Sequence, residues 1–310
     1  MFASVLSAVS AGPLLTAGGL VTDAGVPTGW GMFASEFLGT LILIVLGCGV
    51  VAGQVLPRTK NHGGGWLMVA FGWGLAVYAG VYAAYLTGGH LNPAVTIGLA
   101  LRDGQLTDGV PATAANMFYY IAGQMVGAII GAIIVYLTHK KHFDEEAPAA
   151  DKLGVFSTGP EIRSYGWNLF TEIVATFVLV AFVIVAGKTP TEVGPLAVAL
   201  VVVAIGVSLG GPTGYAINPA RDLGPRIAHA ILPIKGKGTS DWAYSWIPVV
   251  GPIVGGVLAA LIVPCSSVCD RLLPLKQPPR PSPRRPADPP PRGDPEGPLL
   301  RRRSGKAPTP

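Results

Sequence analysis

Gly214-Tyr-Ala-Ile-Asn-Pro-Ala-Arg-Asp222 is the stretch on which the reading of this chain turns. Gly88-Gly-His-Leu-Asn-Pro-Ala94 repeats its pattern in the first half. In each, a glycine-rich approach meets Asn-Pro-Ala and leads into a short helix: Val95 to Leu101 in the first, Leu223 to Ile231 in the second. Asn fits an N-cap, because its side chain accepts a backbone N–H that the first turn leaves unpaired. Pro fits the next position, where its fixed φ is already helical and its missing N–H costs nothing. One such pair would be an ordinary helix cap. Two, each set behind a hydrophobic segment, read as two copies of one device.

The surrounding composition places that device in a bilayer. The 310 residues are 50% hydrophobic and only 13% charged, with a mean hydropathy of +0.50. A soluble domain carries about 25% charged residues. Several apolar runs approach the roughly 20 residues needed to cross a membrane, so the chain reads as an all-α polytopic membrane protein. The formal charge of +5 is not spread along it. Residues 271–310 hold ten Lys or Arg against Asp288, Asp294 and Glu296, and the body is near neutral. No aromatic interleaves those arginines, which argues against nucleic-acid binding. Cys48, Cys265 and Cys269 make no disulfide framework, and no His or further Cys completes a metal set around the last two. No cofactor or metal is implied.

Taken in order, residues 1–31 carry no Lys or Arg, so they lack the positive region of a signal peptide. They read as a disordered leader, or as a start upstream of a natural one at Met32. Apolar spans are expected over Met32–Leu56, Trp66–Leu86 and Ala112–Thr138, with Asn92-Pro-Ala94 straight after the second. The connection from His139 to Gly166 is the longest loop of the body. The pattern then restarts with spans over Asn168–Gly187, Pro195–Leu209 and Tyr244–Pro264, and Asn218-Pro-Ala220 after the middle one. Glu36 and Glu172 lie near the start of the first span in each half. The membrane-spanning domain is thus 32–264, with repeat 1 over about 32–138 and repeat 2 over about 168–264. Three spans per half make the repeats inverted, which puts the site at the midplane where discontinuous helices meet. Residues 265–310 hold the Pro/Arg-rich tail, which cannot bury a core and reads as disordered. Basic residues beside a last span mark the cytoplasmic side, and six spans put both termini there.

Half-helices starting at Asn92 and Asn218 are too short to cross, and non-helical backbone at that depth is tolerated only inside protein or beside water. Two positive dipole ends would then face a lumen, disfavouring cations and protons. Each Asn amide would still offer donors to a neutral solute. Carbonyls of Gly88, Gly89, His90, Leu91, Thr213, Gly214 and Ala216 have no helical partners and could line such a pore. Glu36 and Glu172 either brace these loops by accepting N–H groups, a credible use of an intramembrane acid, or start their helices at the interface. Arg221 stands at the third helical position, where a cation opposes the dipole by about 0.3–1 kcal/mol. Its fork of donors suits the hydroxyls of a neutral solute; paired with Asp222, it could also be a plain surface ion pair.

These motifs carry a resemblance. Met32 to Pro264 resembles the aquaporin family, and its glycerol-facilitator branch in particular. The matching stretches are Ser35-Glu-Phe-Leu-Gly-Thr40, Gly88-Gly-His-Leu-Asn-Pro-Ala-Val-Thr96, Phe156-Ser-Thr-Gly-Pro160, Gly214 to Asp222 and Val250-Gly-Pro-Ile-Val-Gly-Gly256. The resemblance implies six transmembrane helices with two re-entrant half-helices, and a homotetramer in the cell membrane with one pore per subunit. It also implies an aromatic/arginine selectivity filter built from Trp73, Gly206, Tyr215 and Arg221, with Trp66 or Gly72 as alternatives to Trp73. Water-selective relatives usually place His where Gly206 stands and lack an acid after Asn-Pro-Ala-Arg. Here Asp222 comes directly after Arg221, and the fifth span has no His. The expected function is passive passage of glycerol, similar small neutral polyols and some water. A water-selective channel and a coupled secondary transporter are the rivals. No pairing of nucleophile and base points to an enzyme.

Overall fold

The computed structural model describes residues 19–186 and 193–263. The expected tail, the leader as far as residue 18 and most of the Lys188–Gly194 loop lie outside them. Within them stand six apolar helices and two half-helices in an inverted repeat. The first repeat holds α1 (Gly29–Val55), α2 (Trp66–Ala83), the half-helix α3 (Pro93–Asp103) and α4 (Ala114–Thr138). Two short helices, α5 (Lys140–Asp144) and α6 (Ala149–Gly154), occupy the connection. The second repeat holds α7 (Tyr165–Ala186), α8 (Pro195–Leu209), the half-helix α9 (Pro219–Ile231) and α10 (Ile247–Ile262).

Several boundaries differ from those expected, each for a local reason. The first helix starts three residues before Met32, because the Thr28 hydroxyl caps it by accepting the Gly31 N–H at 3.1 Å. Residues 19–28 are folded into a turn closed by a Val21–Pro27 bridge, so an unstructured leader cannot extend to residue 31. The second span ends at Ala83 rather than Leu86, where a 3₁₀ turn over Tyr85–Thr87 begins the descent to Asn92. The sixth starts at Ile247, after turns through residues 242–246. Among the described residues four helices are long and apolar enough to cross alone, whereas α8 and α10 have 15 and 16 residues. At 1.5 Å per residue those two reach only about 22–24 Å.

Small residues bring these helices together, as packing in lipid favours. Gly123, Gly127 and Gly131 form one stripe of α4 against α1. A Cβ on any of them would lie within 3 Å of a backbone oxygen of Phe33, Phe37 or Leu41. Gly251 and Gly255 give α10 the same close approach to α7. Each half-helix packs on the last span of the other repeat, α3 on α10 and α9 on α4. A Cβ on Gly256 would sit 2.7 Å from the Ala94 carbonyl oxygen, and one on Gly224 would sit 2.6 Å from the Ala128 methyl. The two Asn-Pro starts are thereby wedged between repeats.

Candidate pore and constriction

The two approaches to Asn92 and Asn218 share one unusual backbone. Counting back from each Asn, the residues four, three and one before it have positive φ: Gly88 (75°), Gly89 (66°) and Leu91 (54°), then Gly214 (81°), Tyr215 (40°) and Ile217 (44°). Glycine takes such values freely. Leu, Tyr and a β-branched Ile do not, and each costs on the order of 1–3 kcal/mol unless its surroundings over-determine it.

The over-determination comes from the two buried acids. Glu36 accepts the N–H groups of His90 (3.0 Å) and Leu91 (2.7 Å), the Thr87 hydroxyl (2.6 Å) and the Gln124 amide (2.8 Å). Glu172 accepts the N–H groups of Ala216 (3.0 Å) and Ile217 (2.9 Å) and the Thr213 hydroxyl (2.7 Å). Thr87 and Thr213 both stand five residues before their Asn. Thr87 is a member of the site that the motifs do not single out. Aligning the repeats on Asn-Pro-Ala reveals it, since Thr-Gly precedes both.

The half-helix starts are tied crosswise. Asn92 Nδ2 donates to the Ile217 carbonyl and Asn218 Nδ2 to the Leu91 carbonyl, both at 2.8 Å. Each Asn Oδ1 caps its own helix, accepting the N–H of Ala94 (2.9 Å) or those of Ala220 (3.0 Å) and Arg221 (3.3 Å). One N–H remains on each amide, and both residues line an inner cavity of about 580 Å³. Gly88, Gly89, His90, Leu91 and Ala216 line it too, opposite an apolar wall that includes Leu43, Val77, Leu179 and Val202. The Leu91 carbonyl, which accepts from Asn218, has a second lone pair, and Leu91 lines the cavity as expected of a pore carbonyl. Thr213 lines neither this cavity nor the second one, and its hydroxyl donates to Glu172. The His90 ring is fixed between Thr96 Oγ1 (3.1 Å) and the Leu106 carbonyl (2.8 Å). Leu106 belongs to a small hairpin after α3, Gln105–Thr107 paired with Val110–Pro111.

A second cavity of about 480 Å³ lies toward the 150–163 connection, and Gly214 lines it. Trp73, Tyr215 and Arg221 line both cavities and so form the partition between them. The Arg221 guanidinium carbon stands 3.9 Å from the centroid of the Trp73 ring, a cation–π contact. Its Nη1 donates to the Phe156 carbonyl at 3.1 Å. Gly206 faces the Tyr215 ring, where a Cβ would lie 2.8 Å from Cζ. Of the alternatives to Trp73, Gly72 faces Val50 on α1, and Trp66 lies behind Tyr215 rather than at the guanidinium.

Asp222 is not part of a surface pair. It forms a fully buried ion pair with Arg226 at 2.8 Å and accepts both the N–H (2.7 Å) and hydroxyl (2.8 Å) of Thr158. Arg226 returns a bond to the Thr158 carbonyl at 2.9 Å and reaches the Ser240 carbonyl at 2.8 Å. The pair therefore clamps the Phe156–Pro160 segment whose first carbonyl holds Arg221. On the outer loops, bonds from Arg163 to Asp241 (3.0 and 2.5 Å) hold the Asp241 carboxyl below the usual carboxylate range. Among the described residues no group of three His, Cys, Asp or Glu is placed to hold a metal ion.

Two half-helices abutting between six apolar helices, with a cavity on either side of a three-residue constriction, define a channel-type membrane protein. The chain belongs to the major intrinsic protein family, which it matches over residues 25–263. It is similar to a probable glycerol uptake facilitator protein of Thermotoga maritima, 53% identical over 232 residues that cover 74% of this chain and 96% of that one. A glycerol uptake facilitator protein of Streptococcus pneumoniae is 52% identical over 73% of this chain and 95% of its own. Among solved structures, the aquaglyceroporin from Plasmodium falciparum superposes with a TM-score of 0.66 at 31% identity. It covers 78% of this chain and 99% of its own. The family consists of passive channels, not enzymes.

Proposed function

We propose that this chain is a passive channel for glycerol and similar small neutral polyols, with some water, that excludes ions and protons. The constriction carries the reading. Glycerol has a carbon edge and a hydroxyl edge. Trp73 and Tyr215 offer an apolar corner to the first. Arg221 keeps unengaged N–H donors for the second, since one goes to Phe156. Gly206 leaves room where any side chain would collide with Tyr215. The names of the similar proteins support the same solute. Cation exclusion is expected from the guanidinium together with two helix N-termini at the crossing.

A coupled transporter would need a titratable or cation-binding group free to change partners. Among the described residues the buried acids are Glu36, Glu172 and Asp222; the first two are committed to loop N–H groups, and Asp222 to Arg226 and Thr158. The protein is further read as a homotetramer with one pore per subunit, embedded in cell-membrane lipid with both termini cytoplasmic. The basic tail and the even number of spans support that orientation. Stopped-flow swelling of proteoliposomes tests the function, comparing a glycerol gradient with an impermeant osmolyte. Glycerol entry well above empty liposomes, independent of pH gradient and Na⁺, is the expected result. Fast water flow without added glycerol entry would overturn the polyol reading in favour of a water-selective channel.

A further inference from the structure

The wall behind Tyr215 holds a residue that the constriction itself does not account for. Trp66, the first residue of α2, reaches across to α8, where its indole N–H donates to the Gly206 carbonyl at 2.7 Å. That carbonyl is one of the last four of α8, which a helix end leaves without intrahelical partners. The indole also meets the Tyr215 ring edge-to-face, with centroids 5.8 Å apart. Trp66 is 44% exposed, yet it lines the outer cavity beside Trp73, Tyr215 and Arg221. Its own placement is anchored, because the preceding Gly65 N–H donates to Gln54 of α1 at 2.8 Å.

Gly210 makes this meeting possible. A Cβ there would fall 2.4 Å from the Gly206 oxygen, 2.6 Å from the Tyr215 ring and 2.8 Å from the Trp66 ring. Carbonyl, phenol and indole thus converge over one bare backbone position. Among the described residues the Tyr215 hydroxyl, buried against Gly206, has no hydrogen-bond partner. The ring is therefore held in place by its neighbours' shape and by Trp66, not by a bond of its own.

We propose that Trp66 is a specificity-determining positioning residue. It ties off the Gly206 carbonyl and backs Tyr215, and so sets the width of the constriction without touching solute there. Without the indole N–H, the Gly206 carbonyl loses its donor beside a phenol that also lacks a partner, and the Tyr215 ring shifts toward that carbonyl and away from the lumen. With a methyl at residue 210, the ring moves the other way, into the lumen. This inference rests on the polyol reading given above.

The test measures water, glycerol and xylitol permeability of full-length protein in proteoliposomes, for the unmodified chain, Trp66→Phe and Gly210→Ala. Trp66→Phe keeps an aromatic ring and removes the N–H. It should raise the xylitol-to-glycerol ratio roughly fivefold, about what one neutral hydrogen bond contributes. Gly210→Ala should lower glycerol permeability by a similar factor while water permeability falls less. A merely structural role would scale all three rates together and leave their ratios unchanged. Unchanged ratios in both variants, beside normal glycerol flux in the unmodified chain, would overturn the role of Trp66 alone. Absence of glycerol flux in the unmodified chain would overturn the polyol reading instead.

Discussion

Replacing Glu172 by Gln is the sharpest test of what holds the pore loops. The carboxylate receives three donors: the Thr213 hydroxyl and the Ala216 N–H at one oxygen, and the Ile217 N–H at the other. A carboxamide fills the same space but has a single acceptor oxygen. If its NH₂ takes the first position, the Thr213 hydroxyl can rotate and accept, but the Ala216 N–H is stranded. If it takes the second, the Ile217 N–H is stranded. Either way one buried backbone donor loses its partner at about 1–3 kcal/mol, and the remaining bonds lose their charge-assisted part. The total is roughly 2–4 kcal/mol. That is comparable to the roughly 1–3 kcal/mol it costs to hold a β-branched residue at φ 44°. Ile217 should relax, and its carbonyl would then leave the Asn92 amide, to which it is now bound at 2.8 Å. The expected result is a lower thermal midpoint in detergent and at least a tenfold drop in glycerol permeability, equivalent to about 1.4 kcal/mol. A Glu172→Gln protein with unaltered midpoint and glycerol permeability would refute the bracing argument.

The same geometry sets three further outcomes. Arg221→Ala removes the cation over Trp73 and should raise proton leak, read with an internal pH dye; leak equal to that of the unmodified chain would remove its assigned role. Gly206→His should lower glycerol permeability about tenfold or more while retaining water flow, because the imidazole fills the space against Tyr215; a solute-panel swelling assay decides it. Asp241, held low by Arg163, contributes stability that is complete above the unfolded carboxylate pKa near 4 and is lost as pH falls through its lower folded value. Because this pair is partly exposed, the effect should stay under about 1 kcal/mol, and Asp241→Asn should flatten that acid limb of a pH–stability curve.

Much of this architecture is legible in the chain because it is written twice. The Asn-Pro-Ala pairs, the early Glu of each half and the apolar runs are periodic signals, and a second copy turns a weak cap into a device. Other features are hidden in the sequence because they depend on packing at long range. The indole of Trp66 meets a carbonyl 140 residues away, and Arg226 binds Thr158 across 68 residues. Neither has a local pattern to announce it. The engagement of the Leu91 carbonyl is hidden for a related reason, since its partner Asn218 lies in the other repeat. Helix ends are displaced by caps and turns, such as Thr28 and the 3₁₀ turn at Tyr85–Thr87, which composition does not show.

The duplicated backbone also explains where the repeats are free to differ. Both loops need the same positive-φ positions, the same Thr and the same Glu, so those are constrained by the chain's own conformation. The two positions directly after Asn-Pro-Ala carry no such constraint. In the first half-helix Val95 and Thr96 stand there, and Thr96 serves the His90 ring and Gln124 within the repeat. In the second, Arg221 and Asp222 stand there, and both reach out to the Phe156–Pro160 segment. The asymmetry therefore recruits an outer loop to hold a cation against its unfavourable place at a helix start. A cation held there faces Trp73 and the lumen at one point only. Symmetry supplies the crossing, and Arg221, at one of the two unshared positions, supplies the cation of the constriction.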